Sequence, residues 1–105
     1  MRRTTGEPIV EVLVAYDVST EDAAGRRRLR RVAKVCQAFG QRVQKSVFEC
    51  TVNAMQMEQL KHALTKEIAP SHDSLRIYRL QEPRDKYLQV MGKVPLFDLH
   101  DPLIV

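Results

Sequence analysis

The apolar run at residues 9–16 (IVEVLVAY) constrains the fold more than any other feature of this sequence. It is rich in β-branched residues and almost continuously apolar, which predicts a central β-strand covered on both faces. The chain has 105 residues, the length of one domain. Because a core of this size is modest, the fold would gain stability from oligomerisation.

A first helix is predicted after this strand. Ser19 followed by Asp22 resembles a capping box at its start. Apolar side chains then recur at spacings of three and four up to Phe39, and Gly40 is a typical residue just beyond a helix end. The pattern predicts an amphipathic helix of about five turns.

The middle of the chain predicts a second extended stretch, a second helix and a further strand. Residues 41–52 contain no Asn-Gly or Asp-Gly pair to mark a tight hairpin, so the pattern by itself predicts one long, bent strand. Asn53 followed by Gln56 then starts a helix that Pro70 ends. Residues 73–80 form the next strand candidate.

This order of elements predicts an α+β sandwich of the ferredoxin-like kind, with two helices on one face of an antiparallel sheet. The other face would leave apolar residues in water, so we expect it to pack against the sheet of a second copy. Residues 1–8 are interpreted as a disordered lead-in and residues 9–80 as the domain. Residues 81–105 contain two short apolar pieces, which predict a strand that pairs elsewhere.

The cysteines, the apolar runs and the net charge indicate the cellular compartment and the kinds of partner to expect. Cys36 and Cys50 stand alone without a metal-ligand spacing, so core packing is favoured for both. No apolar run approaches the ~20 residues of a membrane helix, and the start does not resemble a signal peptide. We therefore expect a cytoplasmic protein with no membrane partner. The net charge of +4 permits a nucleic-acid partner without establishing one.

The first predicted helix carries six of the chain's seventeen Lys and Arg residues. At about 100° per residue, four of them fall opposite the apolar stripe and two flank it. The four are Arg27, Arg30, Arg31 and Lys34, and the two are Arg26 and Arg28. No acid separates them, and such like charges destabilise a helix unless an anion is present. Arginine also matches phosphate geometry, so sequence-independent contact with a phosphate backbone is favoured over a solvated face.

Asp17 is the candidate metal ligand and catalytic residue. It stands where the first strand ends, and a turn or capping role is the usual one for such a residue. One carboxylate does not hold a metal alone, but a two-fold dimer could bring two copies of Asp17 together. Mg²⁺ binds through one or two carboxylates, several waters and substrate phosphates. It could then activate a water for phosphodiester attack.

Three aromatic residues are candidates for base stacking. Tyr16, Phe48 and Tyr78 could stack on bases in the manner of an RNA-recognition sheet. Core packing is favoured for all three.

Several segments together resemble one family. They are residues 14–19 (VAYDVS), 31–34 (RVAK), 40–49 (GQRVQKSVFE) and 73–78 (DSLRIY). They resemble CRISPR-associated protein 2, the smaller of the two proteins shared by most spacer-acquisition systems. The likeness extends from residue 10 to residue 80, whereas the tail from residue 86 onward is only loosely similar.

The resemblance implies a fold and an assembly. It implies a ferredoxin-like βαββαβ order in which the second and third strands meet near residues 44–46. It also implies a homodimer whose sheets pack face to face, with the C-terminal segment adding a strand to the partner's sheet.

The resemblance also implies roles for particular residues. Asp17 matches the family's metal-coordinating aspartate at the dimer axis, with Mg²⁺ as the cofactor. The positions tied to nucleic-acid handling or cleavage are Tyr16, Arg31, Arg42 and Phe48. Family members are described as Mg²⁺-dependent endonucleases on RNA or DNA, and as scaffolds that bridge two integrase dimers across duplex DNA. The first helix is shifted relative to Asp17, so Arg26 to Arg28 are not matched individually.

These observations predict a dimeric spacer-acquisition protein that binds duplex DNA beside an integrase partner and cleaves nucleic acid with Mg²⁺. Three alternatives stay open. The first is a DNA scaffold without catalysis, and the second is an mRNA-cleaving toxin of similar fold. The third is a ferredoxin-like regulatory module that binds a small ligand.

Overall fold

The computed structural model describes residues 8–93 and confirms the predicted α+β ferredoxin-like fold. The elements are β1 (Ile9–Asp17), α1 (Ala23–Gln37), β2 (Gly40–Gln44), β3 (Val47–Asn53), α2 (Ala54–Glu67), β4 (Ser74–Arg79) and α3 (Arg84–Tyr87). Residues 1–7 of the predicted lead-in at residues 1–8 lie outside the described residues, as does the apolar C-terminal piece at residues 103–105. Within residues 8–93, no helix has the length and apolar character needed to cross a bilayer.

The four strands form one antiparallel sheet in the order β2-β3-β1-β4, so β1 is an inner strand as predicted. Its alternate side chains separate the two faces of the sheet. Val12 and Val14 face the helices and are fully buried, while Leu13 and Ala15 on the other face are only partly buried. The sequence predicts that both faces of this strand are covered, but in this single chain the long helices cover only one face. We call the other face of the sheet the open face.

The core lies between the sheet and the two long helices. The buried apolar residues are Val12, Val14, Tyr16, Leu29, Val32, Ala33, Cys36, Phe48, Cys50, Val52, Leu60 and Leu64. The α1 members are the apolar stripe that the spacing predicts, which confirms the amphipathic helix. The thiols of Cys36 and Cys50 are both buried and free, as expected for core packing.

The start of α1 differs from the sequence prediction. Its N-cap is Asp22, whose side chain accepts a hydrogen bond from the Gly25 amide at 2.8 Å. Ser19 instead accepts a bond from the Glu21 amide and lies in the preceding loop. A Cβ on Gly25 would lie 1.8 Å from the Ser19 carbonyl oxygen, so the loop packs too closely on the helix for a larger residue. The helix is consequently 15 residues long, about four turns.

Residues 41–52, which the pattern predicts to form one bent strand, form a hairpin of two strands. The prediction from the pattern is therefore wrong, and the two strands implied by the family resemblance are confirmed. The turn lies at residues 45–46, between β2 and β3. Gly40 is the first residue of β2 rather than a helix terminator. A Cβ there would lie 1.9 Å from the Glu49 carbonyl oxygen, so a close approach of two strands requires the glycine.

The second helix begins as predicted. The Asn53 side chain accepts a hydrogen bond from the Gln56 amide at 2.8 Å. The Gln56 side chain accepts one from the Asn53 amide at 2.9 Å, which completes the capping box. The helix ends at Glu67, three residues before Pro70.

The chain turns onto the open face after β4. Arg84 in α3 lies 3.1 Å from a carboxylate oxygen of Glu11 and 3.3 Å from one of Glu49. Both acids are on the open face, which the short helix therefore partly covers. Leu88 and Met91 beyond it are exposed, and residues 81–93 contain no strand. The part of the predicted strand that follows residue 93 lies outside the described residues.

Candidate metal and nucleic-acid site

Asp17 is exposed at the end of β1, on the side of the strand that faces away from the helices. It pairs in register with Ser74 of β4. On its other side, the Tyr16 amide donates to the Ser46 carbonyl in the β2–β3 turn at 2.9 Å. A cavity of ≈ 340 Å³ opens here, lined by Ala15, Tyr16, Asp17, Ser46, Val47, Ser74 and Arg76.

The residues around this cavity carry oxygen ligands of the kind that Mg²⁺ binds. The Asp17 carboxylate and the hydroxyls of Ser46 and Ser74 are hard oxygen ligands, which Mg²⁺ prefers. Across residues 8–93, no three His, Cys, Asp or Glu side chains cluster as a metal site. One chain therefore offers Mg²⁺ one carboxylate, and the ion would complete its shell with water, phosphate or a second carboxylate.

A buried aspartate next to this cavity was missed by the sequence analysis. The Asp73 side chain is 0% exposed. It accepts hydrogen bonds from the Tyr16 hydroxyl at 2.5 Å and the Ala69 amide at 2.9 Å. Arg28 binds both of its carboxylate oxygens, through Nε at 2.8 Å and Nη2 at 3.0 Å. We call Asp73, Tyr16 and Arg28 the buried clamp.

Asp73 and Arg28 of the clamp stay charged over the whole physiological pH range, and Tyr16 stays neutral. Burial by itself raises the pKa of Asp73, but the hydrogen bonds from Arg28, Tyr16 and Ala69 outweigh it and lower the pKa to about 2. Burial and the bond to Asp73 raise the pKa of Tyr16 to about 12. The clamp therefore combines a neutral phenol with a charged carboxylate and guanidinium. The flank position of Arg28, between the apolar stripe of α1 and the four cations opposite it, was the only sequence signal for this contact.

Two predicted nucleic-acid residues lie in the core. Tyr16 is 2% exposed and Phe48 is 0% exposed, so neither ring is available for base stacking in this chain. This agrees with the core packing that the sequence favours. The guanidinium of half-buried Arg42 lies 5.6 Å from the Phe48 ring centroid, and its Nε donates to the Lys45 carbonyl at 2.8 Å. The nucleic-acid roles of these three residues stay predictions.

The structure divides the six cations of α1 into two sets. Arg28 is bound to Asp73, and Arg26 donates to the Thr20 carbonyl at 3.0 Å. The other four are exposed and form no ion pair or side-chain hydrogen bond with the described part of the chain. They are Arg27, Arg30, Arg31 and Lys34, and we call them the basic face.

Comparisons with known proteins agree with one another. The family model for CRISPR associated protein Cas2 matches residues 10–87. A Moorella thermoacetica protein named CRISPR-associated endoribonuclease Cas2 1 is 58% identical over 94 residues, covering 90% of this chain and 98% of that protein. A Halalkalibacterium halodurans protein named CRISPR-associated endonuclease Cas2 is 52% identical over 93 residues, covering 89% and 97%. The crystal structure of Streptococcus pyogenes Cas2 at pH 6.5 has a TM-score of 0.75 and 49% identity, covering 78% of this chain and 99% of that one.

Proposed function

This chain belongs to the CRISPR-associated protein Cas2 family, and we propose that it is a homodimeric, Mg²⁺-dependent endonuclease of spacer acquisition that binds duplex DNA beside an integrase. The observation that carries the proposal is the exposed Asp17 in a cavity that Ser46 and Ser74 also line. The names of the relatives include both an endoribonuclease and an endonuclease, which supports phosphodiester hydrolysis on RNA or DNA. Family membership favours this function over a toxin or a small-ligand module.

The open face supports the dimer. Leu13 and Ala15 lie on it with Asp17, because alternate residues of β1 share a face. Tyr78, which pairs with Leu13, is 46% exposed. A second copy packed on this face would bury these side chains. A two-fold axis through the face would also bring two copies of Asp17 toward each other.

The chemistry follows from the groups that line the cavity. Asp17 from each subunit would hold the ion, and Mg²⁺ when bound supplies a Lewis acid and a more acidic water. The Ser46 and Ser74 hydroxyls can donate hydrogen bonds to phosphate oxygens. The guanidinium of Arg76, which also lines the cavity, would offset the negative charge of a phosphate bound there.

The basic face supports duplex binding. Four exposed cations that pair with no side chain in residues 8–93 match a phosphate backbone, which they would contact without reading the base sequence. This surface does not include Asp17. A non-catalytic DNA scaffold is therefore the second candidate function, because duplex binding requires only the basic face.

Substitution of Asp17 separates the two functions. Asp17→Asn keeps the size of the side chain and removes one charge per subunit, so we expect loss of Mg²⁺-dependent cleavage of RNA and duplex DNA. Dimer mass and duplex affinity should persist. Glu58→Gln on the exposed side of α2 is the matched control for charge removal and should cleave normally. Equal cleavage by Asp17→Asn would refute its role as the ligand. Duplex binding without cleavage by the unmodified protein would favour the scaffold.

A further inference from the structure

We propose that Asp73 is a positioning residue that holds Asp17 in place for the metal, acting through Tyr16 and Ser74. This inference rests on the proposed function of Asp17 as a metal ligand. Asp73 does not compete for the ion itself, because its side chain is fully buried and already accepts four hydrogen bonds.

The first link runs through Tyr16. Neighbouring residues of a strand point to opposite faces, so the direction of the Tyr16 side chain determines the direction of Asp17. The Tyr16 ring is buried against the helices, and its hydroxyl donates to Asp73 at 2.5 Å. With the phenol held at its tip, the strand cannot rotate about its own axis at this point. Asp17 is thereby kept on the open face.

The second link runs through Ser74. Asp73 directly precedes Ser74, which is the partner of Asp17 in the last pair of the β1–β4 ladder. Arg28 holds the Asp73 carboxylate with two parallel hydrogen bonds, a geometry that fixes orientation as well as distance. The start of β4 is therefore attached to α1 and to the end of β1 at one buried point.

The end of β1 depends on these contacts. Beyond Asp17, residues 18–22 have no regular secondary structure. The chain here is held on the β3 side by the bond from the Tyr16 amide to the Ser46 carbonyl. Strand ends open locally at little cost in free energy when few contacts hold them. Loss of the clamp would thus free the Asp17–Ser74 pair while the rest of the sheet stays folded.

Two variants test the inference. Tyr16→Phe removes the hydroxyl and keeps the packed ring, and Asp73→Asn keeps the shape and removes the charge. Their controls are Tyr87→Phe, at an exposed tyrosine, and Glu58→Gln. Mn²⁺ binding to the full chain is measured by water-proton relaxation, beside the Mg²⁺ dependence of cleavage and the affinity for duplex DNA. All are measured at a temperature where unfolding curves show every variant fully folded.

We expect Mn²⁺ affinity and the apparent Mg²⁺ affinity to fall about 10-fold in both variants, the lower end of the effect of outer-shell partners. Duplex affinity should stay unchanged in Asp73→Asn, because the basic face is not touched. Unchanged metal affinity in Tyr16→Phe and Asp73→Asn, with metal binding lost in Asp17→Asn, would overturn the inference and leave the proposed function standing. Absence of Mn²⁺ binding and of cleavage in the unmodified protein would overturn both.

Discussion

Removal of the Asp73 carboxylate should destabilise the fold far more than removal of a surface acid. In Asp73→Ala, the Tyr16 hydroxyl and the Ala69 amide lose their acceptor inside the protein. A buried donor left without a partner costs roughly 1–3 kcal/mol. The Arg28 side chain is 21% exposed and can turn to water, so we assign it no cost. The expected loss is about 3 kcal/mol, a large part of the roughly 5–15 kcal/mol typical of a domain.

Urea unfolding followed by circular dichroism measures this loss. Protein concentration must be held fixed, because unfolding of an oligomer depends on it. The control is Glu58→Ala, whose side chain is 74% exposed and pairs only with Lys61. That change should stay within about 0.5 kcal/mol. A loss below about 1 kcal/mol for Asp73→Ala would refute the argument that the clamp is an important stabilising contact.

Three further predictions follow from the same structure. The Asp73 pKa is lowered from 3.8 to about 2, so the ionised carboxylate stabilises the folded state fully above pH ~4. This contribution to the free energy of unfolding falls by about 2 kcal/mol as the pH drops toward 2. Unfolding measured at decreasing pH should show this loss, and Asp73→Asn should lack it. Changing Arg27, Arg30 and Arg31 to Ala should weaken binding to all duplexes and reduce the log–log salt slope by ~0.9 for each lost phosphate contact. Arg28→Gln should leave that slope unchanged, because Arg28 is bound to Asp73. If Arg28→Gln reduced the slope as much as the triple substitution, the separation of Arg28 from the basic face would be contradicted. Light scattering should give a dimer mass for the full chain and a lower mass after removal of residues 96–105, whereas a monomer at micromolar concentration would contradict the proposed assembly.

The local sequence determined most of the elements. The spacing of apolar residues predicts the buried stripe of α1, and the Asn53–Gln56 pair predicts the start of α2, because both signals lie within a few residues of the structure they specify. The β2–β3 turn carries no local turn signal at residues 45–46, so the pattern predicted one strand where there are two. The start of α1 was misplaced because Ser19 and Asp22 are both suitable caps. Packing of the loop against Gly25 decides between them.

The tertiary structure alone decided what surrounds Asp17. Asp73 is 57 residues from Tyr16 and 45 residues from Arg28, and no periodicity connects positions so far apart. Their contact forms because the antiparallel β1–β4 ladder brings the start of β4 to the end of β1, where the Arg28 side chain of α1 reaches the Asp73 carboxylate. The same packing separates Arg28 from the basic face, although all these cations belong to one arginine-rich run. The sequence places the charged residues on the helix, and the fold determines which of them are bound internally and which are exposed to solvent.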